Sequence, residues 1–174
     1  MAQHEGAAEL SFMPMQIADL DEVLAIESVS HIHPWTRGNF SDSLAAGHWA
    51  YCIRPQANQH SAAGTFLDSS VLWAYCILYP AVDELHLLNI TVSPKLSGMG
   101  LGTRMMEAIE GVAAQQKMPR IILEVRPSNE PAVALYQKLG YEQIGLRKNY
   151  YPASPQSGSR EDALVMAKSI KLEL

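Results

Sequence analysis

Gly98, Gly100 and Gly102 punctuate the turn between an apolar strand pattern, Leu88 to Val92, and a helix pattern that begins at Leu101. A glycine-rich turn feeding a helix N-terminus leaves several backbone N–H groups unpaired and aimed the same way. Together with the helix dipole they bind phosphate or pyrophosphate. Glycine serves where the chain needs φ > 0 or close approach to a ligand, although a flexible surface turn uses the same residues. Two better-known phosphate motifs compete for this loop. A P-loop requires Lys then Ser/Thr after its last glycine, and Thr103-Arg104 follows Gly102, which excludes it. Gly98-Met-Gly100-Leu-Gly102-Thr103 approaches the dinucleotide fingerprint G-x-G-x-x-G/A, with Glu124 following in the next strand. Thr103 at the final position, the long connection through Pro94 and the lack of a second nucleotide-binding half argue against that reading.

Two further side chains have types suited to proton transfer. Glu124 is the single charge within Ile121-Ile-Leu-Glu-Val125, where partial burial would raise its pKa towards that of a useful base. The same position suits a structural carboxylate paired with Arg126 or Arg120. Tyr136 shares a helix face with Ala132 and Leu139 by spacing, which is the pattern of an ordinary core tyrosine whose hydroxyl still needs a partner. His31-Ile-His33-Pro-Trp35 offers two imidazoles, but an H-x-H pair without a third ligand is a weak metal site. Cys52 and Cys76 lie in apolar, strand-like context without metal or C-x-x-C spacing, so buried free thiols and no metal are expected.

The elements that must position these groups are legible from periodicity. Leu10 to Met13 reads as a short strand ended by Pro14. Asp19 can cap a helix in which Leu20, Val23, Leu24 and Glu27 follow helical spacing. A second short helix runs from Arg37 to Ala46, and strands follow at His48 to Arg54, Val71 to Tyr79 and Glu84 to Val92. Pro55 to Ser69 is polar and reads as a mobile hairpin insertion, and residues 1–8 as a disordered tail. Met105, Ile109 and Val112 put one face of the next helix on a core, and Ile121 to Val125 is an apolar strand. Ser128 or Asn129 caps a helix with Pro131 in its first turn, and Gly140 ends it. Tyr141 to Arg147 and Ala163 to Ile170 supply the last strands, joined by a polar loop. The order is mixed α and β: an antiparallel front half, then β-α-β-α-β.

The 174 residues fit a single domain, and 48% apolar with 18% charged residues marks a folded globular chain. No apolar run approaches the ~20 residues of a membrane span. The first residues carry neither a basic n-region nor an apolar h-region, so a reduced cytoplasm is the expected compartment. A formal net charge of −5 argues against broad nucleic-acid binding, which needs clustered Lys/Arg.

With these pieces assembled, the chain from about Leu10 to Ile170 resembles the GNAT family of acyl-CoA-dependent N-acetyltransferases. It is most similar to the RimI-type subgroup, which acetylates the N-terminal alanine of small-subunit ribosomal protein eighteen. The family signal lies in Asn89-Ile-Thr-Val-Ser-Pro94, Gly100-Leu-Gly102, Ser128-Asn129 and Ala134-Leu-Tyr-Gln-Lys-Leu-Gly-Tyr141. The subgroup signal lies in Glu124-Val-Arg126, Asn149-Tyr-Tyr-Pro152 and Arg160-Glu-Asp162, present together and in order.

The resemblance implies a mostly antiparallel, twisted sheet of about seven strands, splayed at the acyl-CoA site, with about four helices. It implies acetyl-CoA as co-substrate: Gly98, Met99, Gly100, Leu101, Gly102 and Thr103 would hold the pyrophosphate. The backbone of Ile90, Thr91 and Val92 would pair with the pantetheine arm like an added strand, and Asn129 would hydrogen-bond it. Glu124 would be the base, Tyr136 the acid beside the sulfur, and the Val92 N–H the oxyanion donor. His31, His33, Pro34 and Trp35 would form a loop over the acceptor groove together with Tyr150 and Tyr151, with Asp162 and Glu161 shaping its entry. One departure stands out: the family pattern Arg/Gln-x-x-Gly-x-Gly/Ala has Ser97 at its first position and Gly98 at its second. The backbone donors survive, but a long side chain for the phosphates is missing.

The expected acceptor is a peptide α-amine. At pH 7 such an amine, with pKa near 7.7–8.0, is roughly 10–17% neutral, against about 0.04% for lysine. Alternative readings are a lysine or small-amine acetyltransferase on the same fold and a non-catalytic acyl-CoA-binding module; retention of Glu124 and Tyr136 argues against the second. A monomer or weak dimer is expected.

Overall fold

The computed structural model describes residues 10–56, 68, 70–153 and 158–172. The chain runs β1 (Leu10–Pro14), α1 (Leu20–Ser30), α2 (Arg37–Ala45), β2 (Trp49–Pro55), β3 (Ala74–Pro80), β4 (Leu85–Val92), α3 (Leu101–Gln115), β5 (Arg120–Val125), α4 (Glu130–Lys138), β6 (Glu142–Tyr151) and β7 (Glu161–Ser169). The strands form one seven-stranded sheet in the order β1-β2-β3-β4-β5-β7-β6. Every pairing is antiparallel except β4 with β5. The expected mixed α/β fold is thus the fold observed. The tail at residues 1–8, and the proposed insertion apart from its few described positions, lie outside the described residues.

Side-chain alternation divides the apolar residues between the two faces of the sheet. On one face Ala74, Cys76 and Leu78 of β3 and Ile121, Leu123 and Val125 of β5 pack with Met105, Met106 and Ile109 of α3 and with Tyr136 of α4. On the other, Ala50 and Cys52 of β2 and Tyr75 and Ile77 of β3 pack with Leu20 and Val23 of α1 and Phe40 of α2. Both cysteines are free and buried.

Local chemistry sets several helix ends. Thr36 and Asn39 form a reciprocal capping box at α2: the Asn39 N–H donates to Thr36 Oγ1 (3.3 Å) and the Thr36 N–H to Asn39 Oδ1 (2.8 Å). Asn129, not Ser128, caps α4, its Oδ1 accepting from the Ala132 N–H at 3.3 Å. Asp19 precedes α1 as expected, but its side chain makes no cap bond. Its carboxylate accepts instead from the Gln16 N–H at 2.7 Å and pairs with Arg54 at 3.2 Å. β3 starts at Ala74 rather than Val71, because the N–H groups of Val71 and Leu72 are engaged by the Asp68 carbonyl (3.2 Å) and the Glu22 carboxylate (3.2 Å).

Three register shifts interrupt the sheet, one of them at Gln143/Gly145 of β6 away from the site; the other two shape it. In β4 the register against β3 shifts between Ile77/Asn89 and Leu78/Leu87, leaving Leu88 as the extra residue of a bulge. The bulge reverses the phase of the strand. Leu85 and Leu87 face the α3 core, and beyond the bulge Ile90 and Val92 take that side, while Asn89 and Thr91 turn towards α1. In β6 the register jumps from Arg147/Ala163 to Tyr151/Glu161, so residues 148–150 bulge against Asp162 alone. Asn149 takes φ 52° there. Its N–H donates to Asp162 (2.7 Å), and Arg160 donates to the carbonyls of Asn149 (2.7 Å) and Tyr150 (2.9 Å).

Candidate active site

The parallel pairing of β4 with β5 ends at Leu87/Leu123, yet β4 continues to Val92 and β5 to Val125. The two strands separate beyond the bulge, and a cleft of about 780 Å³ opens between them. The free edge of β4 follows from its ladder. The Ser93 N–H donates to the Trp73 carbonyl at 2.8 Å. By antiparallel alternation Thr91 and Asn89 then make the hydrogen-bonded pairs with β3. Ile90 and Val92 therefore turn their N–H and C=O groups to the opposite side, towards the gap.

At the end of β4 the chain makes a 3₁₀ turn, Pro94–Leu96, and enters the glycine loop. Gly98 and Gly100 have φ of 80° and 73°, and a Cβ at either would meet open space. Their conformation, not crowding, selects glycine there. Gly102 differs: it lies within α3, and a Cβ would sit 3.2 Å from Leu135 Cδ2, so this glycine admits α4. The first hydrogen bond of α3 runs from the Arg104 N–H to the Gly100 carbonyl at 3.2 Å. The N–H groups of Leu101, Gly102 and Thr103 precede it at the positive end of the helix dipole. Gly98, Met99 and Gly100 are exposed around them. An open, left-handed loop leading into a fifteen-residue helix fits a pyrophosphate.

Glu124 and Tyr136 both line the cleft. They approach it from opposite faces of the sheet: Tyr136 from the α3/α4 core, Glu124 from the alternate face of β5. Tyr136 is 6% exposed, and burial pushes its hydroxyl up to about 12. Glu124 is ion-paired with Arg147 of β6, Oε1 to Nη1 at 2.6 Å. The pairing expected from sequence, with Arg126 or Arg120, is not the one formed: Arg126 pairs with Glu161 (3.2 Å) and Arg120 with Glu84 (3.3 Å). Arg147 also stacks on Tyr150, its Cζ 4.0 Å from the ring centroid. Burial, then a hydrogen bond to Glu124, raises the Tyr150 hydroxyl above its ordinary range. Burial does the same for Tyr151, over whose ring Arg126 lies at 4.1 Å.

The acceptor candidates divide. Trp35, Tyr150 and Tyr151 line the cleft, as do Asn129, Ile90, His31 and His33. Tyr150 and Tyr151 do so from the bulged strand β6 and not from a loop as expected. Asp162 is not among the cleft-lining residues; its carboxylate pins the β6 bulge through Asn149. Glu161 is engaged by Arg126 and by the Ser128 N–H (2.8 Å) and hydroxyl (2.9 Å). His31 and His33 do not share a ligand: one meets Thr91 and the other the Ala153 carbonyl at 3.0 Å. Among the described residues no group of three or more His, Cys, Asp or Glu could hold a metal.

One participant escaped the sequence reading. Glu27 of α1, 1% exposed, lines the cleft with both carboxylate oxygens engaged. Oε1 accepts from the Trp35 N–H (2.7 Å), Oε2 accepts from the Tyr75 hydroxyl, and Asn89 Nδ2 spans the pair at 3.5 and 3.4 Å. The signal was present: an acid on the apolar stripe of a helix is a buried charge in need of donors.

This fold and cleft are those of a known family. A model of the acetyltransferase (GNAT) family matches residues 20–141, and the chain belongs to that family of acetyl-CoA-dependent acyltransferases. Among its relatives, the ribosomal protein bS18-alanine N-acetyltransferase of Escherichia coli K12 is 30% identical over 158 residues, 91% of this chain and 96% of that protein. A Bacillus subtilis protein provisionally named for the same activity is 32% identical over 152 residues, 87% of this chain and 90% of its own length. The crystal structure of the Escherichia coli ribosomal-protein-S18-alanine N-acetyltransferase superposes with a TM-score of 0.79 at 27% identity, covering 95% of this chain and 97% of that one.

Proposed function

We propose that this protein transfers the acetyl group of acetyl-CoA to the N-terminal alanine of small-subunit ribosomal protein bS18, with Glu124 as base and Tyr136 as acid. The observation that carries the reading is the cleft where β4 leaves β5, lined by a carboxylate from one face of the sheet and a buried tyrosine from the other. The two relatives named for this acceptor match along nearly their whole lengths.

The residues' tasks follow from their chemistry. Gly98 to Thr103 hold the pyrophosphate on backbone donors, and the free edge of β4 at Ile90 and Val92 receives the pantetheine, with Asn129 at its flank; Thr91, expected there too, spends its main-chain groups on β3. The bound co-substrate supplies an activated acyl group as a thioester. The Val92 N–H faces the oxygen that gains charge, as preorganised donors do in acyl transfer. Glu124, oriented by Arg147 and Tyr150, takes a proton from the acceptor nitrogen. Tyr136, protonated throughout the physiological range, gives one to the departing sulfur. Trp35, Tyr150 and Tyr151 form the wall against which the acceptor's first residues lie, and Asp162 holds the β6 bulge that presents two of them.

The chain works as one domain, as a monomer or weak dimer, in the cytoplasm where ribosomal proteins are made. One sheet joins all the described strands, and none of the described helices is long and apolar enough to cross a membrane. The test is mass spectrometry of an Ala-initiated bS18 peptide and an N-blocked, lysine-containing twin after incubation with acetyl-CoA. Acetylation of the free terminus is expected; acetylation of the blocked twin alone would overturn the reading in favour of a lysine acetyltransferase.

A further inference from the structure

Besides Glu124 and Tyr136, the cleft wall holds a histidine whose hydrogen bonds fix its orientation. His31 follows the last residue of α1, lines the cleft, and keeps 36% of its side chain exposed. Its Nε2 lies 2.8 Å from Thr91 Oγ1 and 3.4 Å from Glu27 Oε2. The surrounding bonds decide which way the proton runs. The Thr91 hydroxyl donates to Asn89 Oδ1 at 3.1 Å, and Asn89 turns its amide nitrogen to Glu27. The Thr91 side chain also hydrogen-bonds with Tyr75; with its proton given to Asn89 or Tyr75, Thr91 Oγ1 accepts from His31. The reverse arrangement would leave Asn89 Oδ1 without a donor and set a ring lone pair against a carboxylate. His31 therefore carries its proton on Nε2, and in the neutral ring Nδ1 is the acceptor. Nε2 makes the ring's hydrogen bonds to described residues, and the partly exposed ring lines the cleft, which leaves Nδ1 as its available acceptor.

The reaction needs such an atom. An ammonium acceptor sheds two protons on becoming an amide, one reaches the departing sulfur, and one is left over. Glu124 holds one proton at a time. Resting on the α-amine acceptor, we propose that His31 is a second proton-accepting group of the cleft, taking the proton the acceptor ammonium loses before it attacks. An N–H bond of the ammonium breaks, its electron pair stays on nitrogen, and the proton bonds to Nδ1. Glu27 then faces the imidazolium through Nε2–H, as a carboxylate behind a histidine does in hydrolytic triads. Glu124 removes the second proton as the C–N bond forms and the C–S bond breaks. Tyr136 protonates the sulfur and is reprotonated from Glu124, and His31 returns its proton to water through its exposed edge. One proton leaves per turnover. The groups facing the ring are Glu27 from α1, Thr91 and Asn89 from β4, and behind them Tyr75 from β3, which donates to Glu27.

The magnitude is bounded by the acceptor. A terminal amine with pKa near 7.7–8.0 is roughly a tenth neutral at pH 7 and more than about nine-tenths neutral at pH 9. A group that strips the ammonium in place gains at most ~10-fold at pH 7 and almost nothing at pH 9. His31→Gln retains an N–H for Thr91 and Glu27 but cannot accept a proton, and His31→Asn serves as a second variant. We expect kcat/KM for the Ala-initiated peptide to fall about 5- to 10-fold at pH 7 and to converge with wild type by pH 9. Acetyl-CoA affinity should be unchanged by calorimetry. Comparing each variant at the two pH values, below its own melting temperature, separates proton transfer from a folding defect. Equal losses at both pH values, or no loss at either, overturn the inference while leaving the acceptor reading intact. A wild type that does not acetylate the peptide terminus overturns the acceptor reading itself.

Discussion

Replacing Tyr136 with Phe removes one oxygen from a ring that is both a core side chain and a wall of the cleft. Burial lifts its hydroxyl from the ordinary 10 to about 12, so at pH 8 only about one part in 10⁴ is deprotonated. An acid that is always loaded suits donation to a thiolate. General acids typically contribute 10²- to 10⁴-fold, which at 1.36 kcal/mol per decade is about 3–5 kcal/mol of barrier. Folding at pH 8 should change by no more than roughly 1 kcal/mol, the usual worth of one hydroxyl. At alkaline pH the two proteins should part. Because the folded-state pKa lies above the unfolded one, the stability this group contributes is fully present below pH 10 and is lost as pH rises through 12. Two pKa units correspond to about 3 kcal/mol. The wild type should therefore lose about that much more stability than Tyr136→Phe between pH 9 and 12. Tyr75, Tyr141 and Tyr151 are also raised, by burial first; Tyr75 cancels in the comparison, whereas Tyr141 and Tyr151 also feel the Tyr136 charge and add to the difference. The assays are single-turnover acetylation at pH 8 and denaturant melts across the alkaline range. A normal single-turnover rate with a large stability loss at pH 8 would refute the reasoning and leave Tyr136 a core residue alone.

Three other perturbations are expected to read out separately. Glu124→Gln should keep acetyl-CoA binding and lower turnover towards the small end of the 10²- to 10⁴-fold range; an unchanged kcat/KM across pH 6–8 would assign Glu124 to structure through Arg147. Ser97→Arg adds a cation at an exposed position beside the glycine loop, so CoA should bind several-fold more tightly at ~0.05 M salt and lose that gain by ~0.5 M. Calorimetry at the two salts decides this, and no gain at low salt would mean that the phosphates do not pass this residue. Gly100→Ala places a Cβ at φ 73° in open space, so it should cost about 1–2 kcal/mol of backbone strain in a urea melt; an unaltered midpoint would show that the loop relaxes freely.

What the sequence made legible was local. Asn129 before Glu130-Pro131, the glycines ahead of Leu101, and the lone charge in Ile121 to Val125 each announce themselves within a few residues, and each lies where such signals predict. What stayed hidden depends on partners far along the chain. Glu27 meets Tyr75 and Asn89 at separations of 48 and 62 residues, which helical periodicity does not register. The partner of Glu124 was missed for the same reason: Arg147 is brought to it across β7. The strand identity of Tyr150 and Tyr151 was obscured by the three-residue bulge, which breaks the period-2 pattern and gives the segment the look of a loop.

The bulge at Leu88 is the device on which the site depends. In a regular strand Asn89 and Thr91 would share a face with Leu85 and Leu87 and point into the apolar core under α3. One extra residue reverses the phase, so the two polar side chains turn to α1 and assemble around Glu27 and His31. Ile90 and Val92 meanwhile take over the contact with the core. The extra residue also bends the strand away from β5, which ends their pairing at Leu87/Leu123 and frees the main-chain groups of Ile90 and Val92. A single strand thereby presents an unpaired edge for an extended ligand, a polar face for proton transfer and an apolar face that anchors both. The three cannot be separated: shifting β4 by one residue would bury Asn89 and Thr91 without partners at the same moment that it closed the gap.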